Sequence, residues 1–253
     1  MASLRNVAAP YWAEFIGTLL LTLIGLGATT QNILNDQSSE ALHSSVAWGI
    51  AVTLGIWVTE HVSGGHINPA ITVARAIFSG FSLPKVIGYL VAQSLGAFAG
   101  AFVVWLNFIG PLSHIKHDSG LHPAAHAFIT SNDTWPGLIN EISASFIFVI
   151  AVFAISDQMS NAKNIAPLAL GLAFTGASLA VSSPLQLALN PARDFGPRVF
   201  AAFAYGWDVF SDHSFYFWVP IVGPFVGAIL GAFVYEWLVK RDAEYHHSLE
   251  EGN

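Results

Sequence analysis

The tripeptide Asn-Pro-Ala occurs twice in this chain, at 68–70 and at 190–192, each time inside a long apolar stretch. Asparagine is a favoured N-cap, and proline is favoured at the first helical position. Each copy therefore predicts that a helix begins where a membrane-spanning helix would otherwise continue. Helices broken at matching positions of two halves are the strongest sequence indication of a solute site near the middle of a membrane.

The composition independently indicates a membrane protein. Of 253 residues, 54% are hydrophobic and only 10% are charged, whereas about 25% are charged in a typical soluble domain. The formal net charge of -7 predicts neither nucleic-acid binding nor a polybasic lipid-binding tail. The absence of cysteine excludes disulfides and thiol chemistry. No cofactor, resident metal or catalytic residue is expected.

Six apolar segments are long enough to cross about 30 Å of hydrocarbon. They are approximately 11–34, 42–62, 84–108, 138–158, 165–182 and 214–239. Two shorter stretches, 66–78 and 187–200, contain the Asn-Pro-Ala copies. The predicted fold class is an all-α membrane protein with six transmembrane helices and two half-helices that meet at the midplane.

The order of these segments repeats, and we expect one channel domain over 1–253. The repeats are about 11–108 and 138–239, joined by an extracellular loop at 109–137. Glu14 precedes Asn68 by about the same interval as Glu141 precedes Asn190. Because each half has three spans, the second half must insert upside down, which gives an inverted repeat.

The distribution of lysine and arginine predicts the orientation. One side of this topology receives Arg5, Lys85, Lys163, Lys240 and Arg241, with Arg75 near it. Lys116 is the clear loop cation on the other side. The positive-inside rule then places both termini in the cytoplasm, and the plasma membrane is the expected location. The first apolar run is interpreted as a retained helix rather than a removed signal peptide.

Two other patterns have a structural and a functional interpretation. Small residues recur every four positions in the third and sixth spans, at Gly88, Ala92, Gly96, Gly100, Gly223, Gly227 and Gly231. We expect crossing helices within one bundle there, with subunit assembly as the alternative. The long loop contains His114, His117, His122 and His126. We expect solvated histidines, with a metal site as the alternative.

The two predicted half-helices direct their N-termini at the same place. Each N-terminus carries unpaired N–H groups and a partial positive charge. As N-caps, Asn68 and Asn190 accept through their side-chain oxygens, which leaves each NH2 group free to donate. Such a site would admit neutral polar molecules and oppose protons and cations.

The residues before each asparagine predict a row of backbone carbonyls along the pathway. The predicted carbonyl residues are Gly64, Gly65, His66, Ile67, Ala188 and Leu189. The two glycines suit unusual backbone angles. A packed role for the histidine is favoured over a gate. Glu14 and Glu141 would support these segments by accepting backbone N–H bonds, and proton relay is the alternative.

Arg193 lies one helical turn beyond Asn190. An arginine at membrane depth is costly unless it faces water or a partner. It is predicted to be a fixed donor at the narrowest point that binds hydroxyl groups and repels cations. A buried ion pair with Asp194 is the alternative, although adjacent helical residues do not face each other.

Together these residues resemble the aquaporin, or major intrinsic protein, family over nearly the whole chain. The specific motifs are Ser63-Gly64-Gly65-His66-Ile67-Asn68-Pro69-Ala70 and Asn190-Pro191-Ala192-Arg193-Asp194-Phe195-Gly196-Pro197. The resemblance implies a right-handed bundle of six helices with two half-helices. It also implies a homotetramer in the lipid bilayer with one pore in each subunit.

Within that family the chain is similar to the aquaglyceroporins, or glycerol uptake facilitators. The positions that carry this likeness are Asp194, Arg198, Pro220, Ile221 and Trp48. An aromatic wall opposite an arginine suits a polyol, which has one carbon edge and one hydroxyl edge. The implied selectivity filter consists of Trp48, Gly176, Leu187 and Arg193. Leu187 stands where glycerol channels commonly have a second aromatic residue, so larger neutral solutes are also expected.

The predicted function is a passive, non-enzymatic channel for glycerol, water and related small neutral solutes that excludes protons and ions. Alternative solutes are dihydroxyacetone, urea and protonated lactic acid. An ion-coupled secondary transporter and a closed structural junction protein are the competing functions. Coupled flux would favour the transporter, and negligible permeability would favour the junction protein.

Overall fold

The helices of the chain divide into long spans and short half-helices. A computed structural model describes residues 2–35, 41–157, 160, 163–181 and 187–241. Its helices are α1 (Ala2–Leu34), α2 (Ala41–Ser63), α3 (Pro69–Phe78), α4 (Leu83–Ser113), α5 (Thr134–Ser156), α6 (Ala166–Val181), α7 (Pro191–Tyr205), α8 (Asp212–Phe215, one turn) and α9 (Val219–Val234). A π-helical turn, Tyr235–Lys240, continues the last of them.

Five helical segments are long and apolar enough to cross a membrane, as judged by length and composition. They comprise α1, α2, α4, α5 and the region around α9. The sixth predicted span is α6, which has 16 residues, or about 24 Å of helix. A 3-10 turn at Lys163–Ile165 precedes it. The all-α membrane fold predicted from the sequence is confirmed.

Helices α3 and α7 are the two predicted half-helices. They have 10 and 15 residues, too few to span the hydrocarbon. Each begins with the proline of an Asn-Pro-Ala copy. The preceding asparagine has extended backbone angles, as a helix N-cap requires.

The packing of the helices repeats between the two halves. The contacts of α1 with α2 and α4 correspond to those of α5 with α6 and α9. Each half-helix also packs against the other half, α3 against α9 and α7 against α4. The helix contacts of the two halves thus correspond pair by pair, and α2 and α6 pack together between the halves.

Small residues let the long helices within each half approach closely. A Cβ atom at Gly96 or Gly100 would overlap the backbone or side chains of α1. Gly223 and Gly227 have the same relation to α5. These glycine faces therefore pack inside one bundle, as the structural interpretation of the sequence pattern predicts.

Candidate solute pathway

The two asparagine caps lie against each other at the centre of the bundle. Asn68 Oδ1 accepts from the Ala70 N–H at 2.9 Å. Asn190 Oδ1 accepts from the Ala192 N–H at 3.0 Å and from the Arg193 N–H at 3.3 Å. Both asparagines are buried, so the caps satisfy backbone donors that water reaches poorly.

The asparagine side chains also join the two halves. Asn68 Nδ2 donates to the Leu189 carbonyl at 2.9 Å, and Asn190 Nδ2 donates to the Ile67 carbonyl at 2.8 Å. The sequence predicts that each NH2 group is free to donate, and one of its two hydrogens forms this cross-link. The second hydrogen is not used by this bond.

The cross-links depend on unusual backbone angles at the two accepting residues. Ile67 has φ 43° and Leu189 has φ 53°, in the left-handed region that residues other than glycine rarely adopt. Gly64 and Gly65, at φ 89° and 61°, are the positions where the sequence did predict unusual angles. The pair at Ile67 and Leu189 had no such signal, since neither residue type favours positive φ.

Two buried glutamates hold the segments that lead into the half-helices. Glu14 accepts from the N–H groups of His66 at 3.0 Å and Ile67 at 2.6 Å. Glu141 accepts from those of Ala188 at 2.6 Å and Leu189 at 2.9 Å. Because the N–H groups point toward the glutamates, the segments can direct carbonyl groups to the other side.

These segments border a cavity within the helix bundle. The predicted site residues on its lining are Gly64, Gly65, His66, Ile67, Asn68, Ala188, Asn190, Arg193 and Trp48. The structure therefore brings both caps, most of the predicted carbonyl residues and two of the predicted filter residues to one cavity.

Arg193 and Trp48 form a guanidinium–aromatic pair on this lining. The guanidinium carbon lies 4.5 Å from the centre of the indole ring, within the range of cation–π attraction. Both side chains are buried. Gly25 on α1 makes room for the indole, because a Cβ atom there would overlap the ring. Nothing in the sequence marked Gly25 for this role.

The partner of Asp194 is Arg198 rather than Arg193. Arg198 Nε donates to Asp194 Oδ1 at 2.6 Å, and Arg198 also donates to the carbonyls of Thr130 and Val209. Asp194 accepts in turn from the Thr130 N–H and hydroxyl. Asp194 and Arg198, both subgroup markers in the sequence, thus attach the loop between the halves to α7 through Thr130.

The other two predicted filter residues are placed differently. Gly176 is exposed and lies about 200° around α6 from Phe174, given 100° per residue. Leu187 is buried but is not part of the described cavity lining. Phe174 is on that lining instead. The assignment of Gly176 is thereby corrected, since two helical positions place it on the opposite side of α6.

His66 is packed as well as cavity-lining. Its Nδ1 lies 3.2 Å from the Thr72 hydroxyl. Its ring contacts those of Phe81 and Tyr89, with centre-to-centre distances of 4.7 and 5.3 Å. These contacts hold the imidazole in place, as the packed interpretation of the sequence predicts.

A second arginine, Arg75, also lines the cavity. Its guanidinium carbon lies 5.3 Å from the ring centre of Phe153, and Glu60 lines the cavity as well. In the sequence, Arg75 indicates the orientation of the chain, and its place in an apolar half-helix also indicates a buried charge. The remaining subgroup markers lie outside the lining, with Pro220 in the first turn of α9 and Ile221 next to it.

The loop histidines form contacts without an evident metal centre. His117 and His122 stack with ring centres 4.8 Å apart. His126 Nδ1 lies 4.0 Å from a carboxylate oxygen of Asp212. Within the part of the chain that the structure describes, no group of three or more potential metal-binding side chains is arranged to hold an ion.

Comparison with known proteins identifies the family. The family model described as "Major intrinsic protein" matches residues 2–235. Aquaglyceroporin-3 of Trypanosoma brucei brucei is 38% identical over 242 residues, covering 91% of this chain and 79% of that protein. A probable glycerol uptake facilitator protein of Thermotoga maritima is 36% identical over 236 residues, covering 90% and 98% respectively.

A solved structure agrees with these sequence matches. The X-ray structure of the aquaglyceroporin from Plasmodium falciparum aligns with a TM-score of 0.86 at 30% identity, covering 95% of this chain and 99% of that one. The bundle and its paired half-helices thus define a membrane channel architecture. The chain belongs to the major intrinsic protein family, which confirms the resemblance drawn from the two Asn-Pro-Ala motifs.

Proposed function

We propose that the protein is a passive channel for glycerol, water and related small neutral solutes, and that it excludes protons and ions. The observation that carries this proposal is one cavity lined by both asparagine caps and by the Trp48–Arg193 pair. The relatives named as an aquaglyceroporin and a glycerol uptake facilitator support the choice of glycerol. The proposal involves no catalysed reaction.

The pathway offers donors and acceptors in separate places. Asn68, Asn190 and Arg193 present N–H donors at the helix N-termini, where the partial charge is positive. The segments before the half-helices present carbonyl acceptors. A hydroxyl group can use both, whereas a cation meets a positive field at the centre. The donors also orient a passing water so that it cannot hand a proton onward along a continuous chain.

The Trp48–Arg193 pair suits a polyol in particular. The indole presents an apolar face to the carbon edge of glycerol, and the guanidinium presents donors to its hydroxyl edge. We include Leu187 in the proposed filter as an apolar neighbour. Because Leu187 is smaller than the aromatic residue common at this position in glycerol channels, we also propose dihydroxyacetone, urea and protonated lactic acid as further solutes.

We propose a homotetramer in the bilayer, with one pore in each subunit and the whole chain forming one channel unit. The exposed apolar side chains of the spanning helices, among them Trp57 and Val58 of α2, suit contact with lipid or a neighbouring subunit. The plasma membrane and cytoplasmic termini are the proposed setting, on the basis of the lysine and arginine distribution.

The test is stopped-flow light scattering of purified protein in proteoliposomes. Water, glycerol, urea and lactic acid are compared side by side with protein-free vesicles. We expect water and glycerol permeability well above the lipid background, and lactic acid flux that follows its neutral form. Absent glycerol flux, or flux driven by a sodium or proton gradient beyond its effect on solute charge, contradicts the proposal.

A further inference from the structure

We propose that Phe174 on α6, backed by Phe148 on α5, is a specificity-determining residue of this channel. The proposal rests on the proposed function and extends it, because it assigns the second aromatic wall of the pathway. Phe174 and Phe148 both line the cavity that contains Trp48 and Arg193. Leu187, at the position where a second aromatic residue was expected, is not on that lining.

The packing of α2 against α6 places Phe174 near the level of Trp48. The hydroxyls of Ser45 and Ser178 lie 2.9 Å apart, and the Thr175 hydroxyl donates to the Ser45 carbonyl at 3.2 Å. One turn along, a Cβ atom at Gly49 would meet the carbonyl of Gly171. The two helices therefore run antiparallel in this register, and the residues flanking Phe174 pair with those flanking Trp48.

The position of the Phe174 ring is fixed by its contact with the Phe148 ring and by the spacing between α2 and α6. It meets the Phe148 ring edge to face, with centres 5.3 Å apart and planes at 85°, a favoured aromatic geometry. The close approach of Gly49 and Gly171 fixes the spacing of the helices that carry Trp48 and Phe174. Both phenylalanines are nearly inaccessible, at 5% and 3% exposure. The ring is thus a rigid wall rather than a mobile side chain.

A wall of this kind discriminates by the distribution of hydroxyl groups. Glycerol can turn all three hydroxyls toward Arg193 and the carbonyls while its carbon edge faces the aromatic rings. A pentitol such as xylitol cannot place every hydroxyl on one edge of its longer chain. At least one hydroxyl must then face Phe174 without a hydrogen-bond partner, which is unfavourable in a desolvated passage.

The experiment compares xylitol and glycerol permeability in proteoliposomes that contain wild type, Phe174→Ala, Phe174→Leu or Leu172→Ala. Leu172 lies on the same helix but is 65% exposed on the outside of the bundle, so it controls for truncation of α6. We expect Phe174→Ala to raise the xylitol-to-glycerol ratio by about tenfold, within the range that small changes in an apolar pocket produce. Leu172→Ala should leave the ratio unchanged.

Phe174→Leu keeps an apolar side chain in the core and should raise the ratio by a smaller factor. If the Phe174→Ala variant does not fold, the Phe174→Leu variant provides the test of the role of Phe174. An unchanged ratio in a glycerol-conducting Phe174 variant overturns the role of Phe174. Wild-type protein that conducts no glycerol instead overturns the proposed function, so the two failures are distinguishable.

Discussion

The two halves of the molecule share a framework but differ in their charges. Each half has an asparagine cap, a cross-link to the other half, a glutamate that holds the preceding segment, and a long-helix pair with glycine contacts. After Asn190, however, α7 continues with Arg193, Asp194 and a buried Arg198, whereas the corresponding residues after Asn68 are uncharged.

The two glutamates also differ in their hydrogen bonds, and here the first half has the additional partners. Glu14 also accepts from Ser63 Oγ and Gln93 Nε2, both at 2.6 Å. Among the residues that the structure describes, the donors to Glu141 are the Ala188 and Leu189 N–H groups. The first half therefore depends on a hydrogen-bonded carboxylate, and the second half adds an ion-pair network and the arginine of the proposed filter. A duplicated framework thus carries a proposed filter that is not duplicated.

The largest effect should come from breaking the network that only the second half has. Arg198→Ala leaves the buried Asp194 carboxylate without its cation, and loss of one partner of a buried pair costs about 3–5 kcal/mol. We expect a strongly lowered thermal unfolding temperature in detergent. Lys116→Ala, in the exposed loop, is the control. If the Arg198→Ala protein is as stable as wild type, the ion-pair network does not contribute to the stability of the second half.

The next test compares the glutamates directly. Glutamine at either position has one acceptor oxygen and an added NH2 group, so a backbone N–H loses its acceptor at a cost of about 1–3 kcal/mol. Glu14→Gln also disturbs the bonds with Ser63 and Gln93, so it should lower the free energy of unfolding more than Glu141→Gln. Thermal unfolding of both variants measures the difference. Equal losses would mean that the extra donors to Glu14 contribute little.

Arg193→Val should change selectivity more than stability. Valine removes the fixed positive charge and the hydroxyl donors but keeps an apolar side chain beside Trp48. We expect glycerol flux to persist and proton leak to rise by about tenfold, which corresponds to about 1.4 kcal/mol in the barrier. A pH-sensitive dye inside proteoliposomes measures the leak. If proton and cation exclusion is unchanged, Arg193 is not part of the filter. Exclusion then depends on the features that both halves share.

The shared framework was predictable from the sequence because it depends on local signals. Asn-Pro predicts a capped helix start wherever it occurs, and a run of about 20 apolar residues predicts a span. A glutamate inside such a span requires partners. These signals are sufficient to identify both half-helices and both glutamates without any knowledge of the packing.

The unshared features were harder to predict because they depend on register and long-range contacts. Gly176 is implied only by the resemblance of Gly176-Ala177-Ser178 to the family's fifth-helix filter region, whereas Phe174, two positions earlier on α6, lies on the cavity lining. Arg198 bonds to the carbonyls of Thr130 and Val209, which sequence distance gives no means of pairing. The positive φ angles of Ile67 and Leu189 accompany the cross-links between the halves, and neither residue type signals them.

The smallest expected effect concerns the loop that joins the halves. Partial burial lowers the pKa of His126 below its ordinary value; the Asp212 carboxylate opposes this shift, and His213 and Arg198 reinforce it. Asp212 also accepts from the Ser131 hydroxyl at 2.7 Å, next to Thr130 of the Arg198 network. Protonation of His126 therefore places a charge beside the attachment that is specific to the second half.

The folded protein binds this proton less well than the unfolded chain. The contribution of neutral His126 to the free energy of unfolding is therefore fully present above the ordinary histidine pKa of about 6.5, and it declines as pH falls toward the lowered pKa. We expect a modest decrease in unfolding temperature on acidification through that range. His126→Asn should reduce the pH dependence, while His114→Asn, at an exposed loop position, should leave it unchanged. If His126→Asn has the same pH dependence as wild type, the joining loop is held equally well in both protonation states, and the asymmetry between the halves is confined to the membrane-embedded residues.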